Sequence, residues 1–153
     1  MITACRTDTP IGMLTALYDG DVITRVLFPH ETPPAQTSSF NDNLPFAAQV
    51  REYFSGSRRT FDLQLRIPGT PFRQSVYRTV MAIPYGAVAT YGDVAAAAGH
   101  PLAMRAVGTT MRLTPLPVLI PCHRVVHKGR TKSAYRGGLD IKHYLLDMEQ
   151  KYK

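Results

Sequence analysis

The segment "LIPCHRVV", residues 119 to 126, sets one of the chain's two cysteines between a proline and a histidine. Pro121 lacks a backbone donor, so a strand would end or bend just before Cys122. His123 and Arg124 make the next positions polar and potentially cationic, and such surroundings lower the pKa of a thiol. The pattern therefore predicts a nucleophilic thiolate at Cys122, whereas an isolated cysteine is usually a small core residue.

A histidine beside a cysteine indicates general-base chemistry. Neighbouring side chains on an extended chain point to opposite faces, so we expect His123 to take the thiol proton through one water. A carboxylate behind the histidine would orient the ring and stabilise its charged form. Asp147 and Glu149 near the C-terminus are both candidates, and their spacing does not choose between them. The other histidines and Cys5 lack zinc-binding spacing, so we predict no metal site.

The charge distribution indicates an anionic partner. Of the 153 residues, 44% are hydrophobic and 19% are charged, which is typical of a globular protein and excludes a fibrous or fully disordered chain. Residues 1–66 carry 6 Lys/Arg against 7 Asp/Glu, whereas residues 67–153 carry 12 against 4, a net charge of +8. Nucleic acid is the commonest partner of such a basic half, although the surplus charge could serve solubility alone.

The compartment follows from two absences in the sequence. The opening "MITACRTDTP" has no apolar signal region, and no apolar run approaches the roughly 20 residues that a membrane helix needs. We therefore expect an intracellular, cytoplasmic protein without a membrane partner. A disulfide between Cys5 and Cys122 is not expected in that compartment.

The first half, residues 1–66, is predicted to be a small antiparallel α/β domain. A turn at Asp19-Gly20-Asp21 joins the second and third strands as a hairpin. Phe46, Val50 and Phe54 recur at helical spacing, which predicts an amphipathic helix over the sheet. The predicted strands are "ITACRTD", "GMLTALYD", "VITRVLF" and a later "FDLQL", with "HETPPAQTSS" as a loop.

The second half, residues 67–153, follows the breaker "IPGTP" and is predicted to be mainly helical. Thr70 and Thr90 are expected to cap two helices, and Pro101 to start another, giving a helix-turn-helix. An ordinary pair of packed helices with exposed arginines is the alternative. On the last of these helices one polar, cationic face is formed by Arg105, Thr109 and Arg112.

The remainder of this half contains the segment around the cysteine and a final helix. "TPLPVLIPCHRVV" is bounded by prolines and rich in β-branched residues, so we expect it to be extended. "DIKHYLLDMEQ" has apolar residues at helical spacing, and we expect a helix that is capped by Asp140.

From about Pro71 to Glu149 the chain resembles the O6-alkylguanine-DNA alkyltransferases. The motifs that carry the resemblance are "IPYGAVATYGDVA", "RAVG", "PVLIPCHRVV", "YRGG" and "LLDMEQ", and the Pro-Cys-His-Arg core is the most specific of them. The resemblance implies an RNase H-like α/β N-terminal domain and a mainly α-helical, winged-helix-like C-terminal domain. It also implies direct-reversal repair: Cys122 irreversibly accepts the alkyl group from O6 of a guanine flipped out of duplex DNA.

Roles for individual residues follow from the same resemblance. His123 is expected to be the base and Glu149 its orienting carboxylate. Tyr91 corresponds to a tyrosine near the target phosphate, and Arg105 to an arginine that fills the gap left by the flipped base. Further expected DNA contacts are Thr109, Arg112 and Arg124; the expected pocket residues are Pro121, Val125, Tyr135, Arg136 and Lys142, and the expected hinge is Thr114.

The resemblance further implies that no cofactor is needed. The expected partner is double-stranded DNA carrying O6-alkylguanine or O4-alkylthymine, bound by a monomer. The chain departs from the family pattern at Met104, at Thr114 where asparagine is usual, and at Arg136 in the pocket loop, and we expect these changes to alter rate or substrate range. The alternatives are a non-enzymatic damage sensor of the same fold and a cysteine hydrolase.

Overall fold

The computed structural model of the protein describes residues 1–129, 135 and 137–153. The chain divides into two compact units, Met1–Arg66 and Ile67–Lys153. Within the described residues, each helix is too short or too polar to cross a lipid bilayer.

Unit 1 is a four-stranded sheet with one helix. The strands are β1 (Ile2–Thr9), β2 (Gly12–Asp19), β3 (Val22–Leu27) and β4 (Thr37–Phe40), in the order β3-β2-β1-β4. The three predicted N-terminal strands are confirmed, and β2 and β3 pair antiparallel across the predicted turn. Gly20 supplies the positive φ of +63° that this tight turn uses.

Two predictions for unit 1 are wrong in detail. The sheet is mixed, because β4 pairs parallel with β1 inside the segment that was predicted to be a loop. The segment TSSF has no apolar alternation that could reveal a strand; hydroxyl contacts such as Ser38 Oγ to the Ile2 carbonyl help to hold it (3.1 Å). "FDLQL" forms no regular strand and makes one isolated bridge, Leu65 with Ile23.

The predicted amphipathic helix of unit 1 is α1 (Pro45–Phe54), which packs on β1. Its buried face contains Phe46, Val50 and Phe54, as the spacing predicted. Cys5 on β1 is fully buried beneath it, and its thiol points at the Leu44 carbonyl (3.7 Å). Burial raises the pKa of the Cys5 thiol, so this cysteine has the properties of a core residue.

In its described residues, unit 2 contains four α-helices and a small parallel sheet. The helices are α2 (Pro71–Met81), α3 (Tyr91–Ala97), α4 (Met104–Arg112) and α5 (Leu139–Tyr152), and the strands are β5 (Ala89–Thr90) and β6 (Val125–Val126). The predicted caps are confirmed: the Thr70 hydroxyl accepts from the Arg73 N–H, and Thr90 and Asp93 form a reciprocal capping box.

Two predicted helix starts in unit 2 are wrong. The second helix of the helix-turn-helix begins at Met104, because Pro101 and Leu102 lie in a turn. The final helix begins at Leu139 after Gly138, whose φ of +99° is unfavourable for any residue with a side chain, so Asp140 lies in the first turn and is not the cap.

Candidate active site

The chain turns sharply on its way to Cys122, and the extended segment predicted over residues 114–126 is therefore wrong. The Ile120 N–H donates to the Leu116 carbonyl (2.8 Å), and Val118 has a φ of +71°. A β-branched residue in this region is strained, at a cost of about 1–3 kcal/mol. Cys122–Arg124 then form a single 3-10 turn before β6. These bends bring the chain into a compact arrangement that sequence periodicity did not reveal.

Cys122 lies inside unit 2, with 3% of its surface exposed, and neither it nor Cys5 forms a disulfide. Burial raises the pKa of Tyr77 and lowers the pKa of Lys142, and a thiolate at Cys122 would raise the pKa of both groups. The sulfur is therefore close to a buried phenol and a buried ammonium group. Tyr77 was not identified from the sequence, where it looked like an ordinary helix residue.

His123 is fully buried and its Nε2 lies 2.7 Å from Oε2 of Glu149 on α5. Asp147, the other candidate from the sequence, is exposed on the same helix. Burial lowers the pKa of His123, and this outweighs the opposing effect of Glu149. The ring is therefore held neutral, which is the form that a general base requires.

Glu149 is the centre of a larger buried network. Arg124 donates to both of its oxygens, through Nε at 2.8 Å and Nη2 at 2.9 Å, and the Gly86 N–H donates to Oε1 at 3.2 Å. Burial alone would raise the pKa of Glu149, but hydrogen bonds and charge from His123 and Arg124 hold it far below its usual value. The carboxylate is thus ionised and fixed in position.

Arg124 requires a correction, because it was predicted to contact DNA. Its side chain is buried, and the guanidinium also donates Nη1 to the Ile83 carbonyl (2.8 Å). The Tyr85 ring lies 5.6 Å from the guanidinium carbon. With its donors directed at Glu149 and Ile83, Arg124 belongs to the buried carboxylate network and not to the protein surface.

Lys142 is buried on α5 and donates Nζ to the Val125 carbonyl at 2.7 Å. Burial lowers its pKa to about 8, and the neighbouring Cys122 opposes that shift. A cation that is expensive to bury therefore lies within electrostatic range of the candidate nucleophile. Both Pro121 and Val125, predicted as pocket residues, are also buried, and Tyr135 is half-buried. Arg136 lies outside the described residues.

A groove runs along α4, with a volume of about 540 Å³. Arg105, Thr109 and Arg112 line it from α4, as the helical spacing predicted, and Tyr91 lines it from α3. Gly108 faces the Tyr91 ring, and a Cβ placed on it would meet that ring at 4.0 Å. The groove is completed by Met104 and by His127, which follows β6 and was not singled out from the sequence. Thr114, the predicted hinge, is buried two residues after α4.

Comparison with known proteins gives matches over nearly the whole chain. Residues 71–151 match the DNA binding domain of 6-O-methylguanine DNA methyltransferase, and residues 5–67 match its ribonuclease-like domain. The chain is 40% identical to the constitutive methylated-DNA–protein-cysteine methyltransferase of Bacillus subtilis over 94% of this chain and 92% of that protein. It belongs to the O6-methylguanine-DNA methyltransferase family.

Solved structures of this family agree with the fold. The crystal structure of the Mycobacterium tuberculosis O6-methylguanine methyltransferase has a TM-score of 0.90 and 32% identity, covering 100% of this chain and 95% of that one. The same organism's OGT in complex with DNA has a TM-score of 0.89 and 32% identity, covering 98% and 94%. The fold class and the family predicted from the sequence are both confirmed.

The fold of this family member explains the motif "IPYG" by the contacts that its backbone makes. Gly86 ends the motif with a φ of +78°, its N–H contacts Glu149, and its carbonyl accepts from the Gln150 side chain at 2.7 Å. Ile83 supplies the carbonyl that Arg124 binds. The sequence marks this segment as a break between helices, but only the fold shows that its backbone contacts α5 at the carboxylate.

Among the described residues, no three His, Cys, Asp or Glu side chains are grouped so as to hold a metal ion. In particular, the thiol of Cys5 contacts a backbone carbonyl within the core of unit 1.

Proposed function

We propose that this protein repairs DNA by transferring the alkyl group of an O6-alkylguanine to Sγ of Cys122, once per protein molecule. The observation that carries the proposal is the buried chain His123–Glu149–Arg124, which begins at the residue next to Cys122 and is fixed by hydrogen bonds of 2.7–2.9 Å. A histidine kept neutral and oriented by an ionised carboxylate is suited to accept a thiol proton.

In the proposed reaction, His123 takes the proton of Cys122 through one water, and the thiolate attacks the alkyl carbon. An S–C bond forms as the C–O6 bond breaks. The electron pair of the broken bond stays on the guanine, which then takes up one proton. The product is a thioether, and since no second nucleophile removes the alkyl group, the protein is consumed. Lys142 stabilises the thiolate electrostatically before attack.

The groove along α4 supplies the DNA contact. Arg105 and Arg112 place positive charge on an exposed helix face, in a unit whose sequence carries a net charge of +8. A base that reacts with a thiol inside the protein must leave the DNA stack. Arg105 fills the space that the extruded guanine leaves, and Tyr91 lies near the phosphate of that nucleotide. The protein acts as a monomer on double-stranded DNA.

The decisive experiment measures the mass of the intact protein after incubation with duplex DNA containing one O6-methylguanine. We expect one methyl group per molecule, mapped to residue 122 by peptide sequencing, and no further turnover with excess substrate. Cys122→Ser should gain nothing. The matched control is Cys5→Ala, which alters the other buried cysteine and should still be methylated.

Three results would contradict the proposal. Repeated turnover without a stable adduct would indicate a hydrolase. DNA binding without an adduct would indicate a damage sensor. Methylation that persists in Cys122→Ser would place the acceptor elsewhere in the chain.

A further inference from the structure

His127 lies in the groove that faces DNA, although it is outside the Pro-Cys-His-Arg motif. Its side chain is exposed, and its ring is 5.0 Å from the Tyr91 ring, measured between centroids, with 48° between the ring planes. It lines the same groove as Arg105 and Arg112. An imidazole therefore contacts the tyrosine and shares a groove with the two arginines through which we propose that DNA is held.

The position of His127 is fixed by the small sheet of unit 2. β5 and β6 are parallel, and Thr90 pairs with Val126. The residues that follow these two, Tyr91 and His127, therefore leave the sheet side by side. Tyr91 is the first residue of α3, whose start is fixed by the Thr90–Asp93 capping box. The ring contact is thus a consequence of strand register and helix capping.

The charged groups around His127 favour an anion. From α4 the groove is lined by Arg105 and Arg112, and Lys128 follows His127 in the chain. The acidic residue on α3, Asp93, accepts a hydrogen bond from the Thr90 N–H at 3.0 Å and is committed to its capping box. An anionic ligand that meets Tyr91 therefore enters a groove that is lined by the cationic side chains of Arg105 and Arg112.

We propose that His127 binds a phosphate of the DNA backbone together with Tyr91, and that this contact strengthens as the imidazole gains a proton. The inference rests on the proposed function and extends it to a pH-dependent affinity for DNA. Histidine is the side chain that ordinarily changes charge between pH 5 and 8. A protonated imidazole adds one charge-assisted hydrogen bond to the phosphate and displaces one counterion. The Tyr91 ring packs against the imidazole and limits its rotation.

The test measures binding of Cys122→Ser protein to a duplex with one O6-methylguanine, by fluorescence anisotropy over a salt series at pH 6.0 and pH 8.5. His127→Gln keeps a polar side chain but does not gain a proton. We expect it to weaken binding at pH 6.0 by about fivefold and to reduce the salt slope by roughly one, with less than about a twofold effect at pH 8.5. His127→Lys should bind equally at the two pH values.

The control is His143→Gln, which removes an exposed histidine on α5 that does not line the groove. The DNA affinity of His143→Gln should depend on pH in the same way as that of its Cys122→Ser parent. Equal affinities of His127→Gln and its parent at pH 6.0 would overturn the inference, as would an equal loss at both pH values in His127→Gln or a pH-dependent loss of the same size in His143→Gln.

The intact-mass assay on native protein separates this inference from the proposed function. An adduct at Cys122 together with a pH-independent His127→Gln effect would leave repair standing and remove the phosphate contact. A pH-dependent effect of His127→Gln without any adduct would support the phosphate contact and remove the repair reaction.

Discussion

The two units contain arginine–carboxylate pairs of the same geometry in opposite surroundings. In unit 1, Arg6 donates Nε and Nη2 to the two oxygens of Asp42, both at 3.2 Å. In unit 2, Arg124 donates the same two nitrogens to Glu149 at 2.8 and 2.9 Å. The side chains of the first pair are 42% and 48% exposed, whereas those of the second are 8% and 1% exposed.

This difference separates a surface feature from a functional one. Water and salt screen the Arg6–Asp42 pair, so it adds little to stability. The Arg124–Glu149 pair is desolvated, and a buried pair of charges is no more stabilising than a well-packed apolar pair would be. The fold nevertheless retains it beside His123. We infer that its value lies in holding an ionised carboxylate against the histidine, with stability depending on all partners being present.

The largest expected effect comes from Glu149→Gln, which leaves Arg124 buried without its counter-charge. Removing one partner of a buried pair costs about 3–5 kcal/mol. We expect the free energy of unfolding to fall by about that amount, together with loss of alkyl transfer. Urea denaturation followed by circular dichroism measures the first, and the intact-mass assay measures the second.

The matched control for that variant is Asp147→Asn on the same helix, where the carboxylate is exposed. It should change neither quantity appreciably. A Glu149→Gln protein as stable as native would mean that Arg124 finds water or another partner, and the contrast between the two units would lose its basis.

The next effect is a dependence of stability on pH that originates in unit 2. The pKa of His123 is lowered in the folded state, so the unfolded chain takes up that proton first as pH falls below about 6.5. Stability should therefore fall on acidification from about pH 7, by up to about 1.4 kcal/mol per pH unit for this one group. Glu149, whose pKa is also lowered, adds a further loss below about pH 4.3.

Comparison with His123→Gln isolates this contribution, because glutamine does not take up the proton. The difference in unfolding free energy between native protein and the variant should shrink as the pH is lowered from 7.5 to 5. A constant difference across that range would show that the pKa of His123 is the same in the folded and unfolded chain, and a difference that grows on acidification would indicate an imidazolium paired with Glu149 in the folded protein.

A smaller effect is expected at Gly86, whose backbone contacts the buried carboxylate. Gly86→Ala puts a Cβ 2.8 Å from the Lys153 Cβ, at a φ of +78°. Gly20→Ala in unit 1 has a similar φ of +63° with no atom within 4 Å, so it reports the backbone cost alone, about 1 kcal/mol. We expect Gly86→Ala to exceed that control by up to about 2 kcal/mol in denaturation experiments and to slow alkyl transfer. Equal costs for the two variants would show that α5 yields without disturbing Glu149.

The contrast between the units also explains what sequence could predict. Strands β1, β2 and β3 and the caps of α2 and α3 follow from alternation and from local side-chain chemistry, and they were predicted correctly. β4 was missed because a parallel pairing of polar residues has no periodic signal. The turn at Val118 was missed because a β-branched residue rarely adopts a positive φ, so nothing in its type marks the bend.

At the site, the Pro-Cys-His-Arg motif predicted a nucleophilic thiol but not all of the residues that contact its side chains. An arginine after Cys-His looks like a DNA contact, and its burial depends on Glu149, 25 residues away, and on the Ile83 carbonyl, 41 residues away. Such long-range partners are set by tertiary packing, which a single sequence does not reveal. His127 was passed over for the same reason, since its meeting with Tyr91 depends on the register of two short strands.

The smallest expected effect is that of Asp42→Asn, and it completes the comparison. Hydrogen bonds from the Arg6 side chain and backbone N–H lower the pKa of Asp42, but both side chains remain in contact with solvent. Solvent replaces the lost partner, so Tm should change by no more than about 2 °C. Arg6 lies over the Phe40 ring, at 4.5 Å from the ring centroid, and we expect this contact to persist without the carboxylate.

Amide hydrogen exchange, followed separately in residues 1–66 and 67–153, should show unchanged protection in both units for Asp42→Asn and lowered protection in the second unit for Glu149→Gln. Equal losses in the two variants would mean that burial is not what distinguishes these pairs, and that their common bidentate geometry determines their contribution instead.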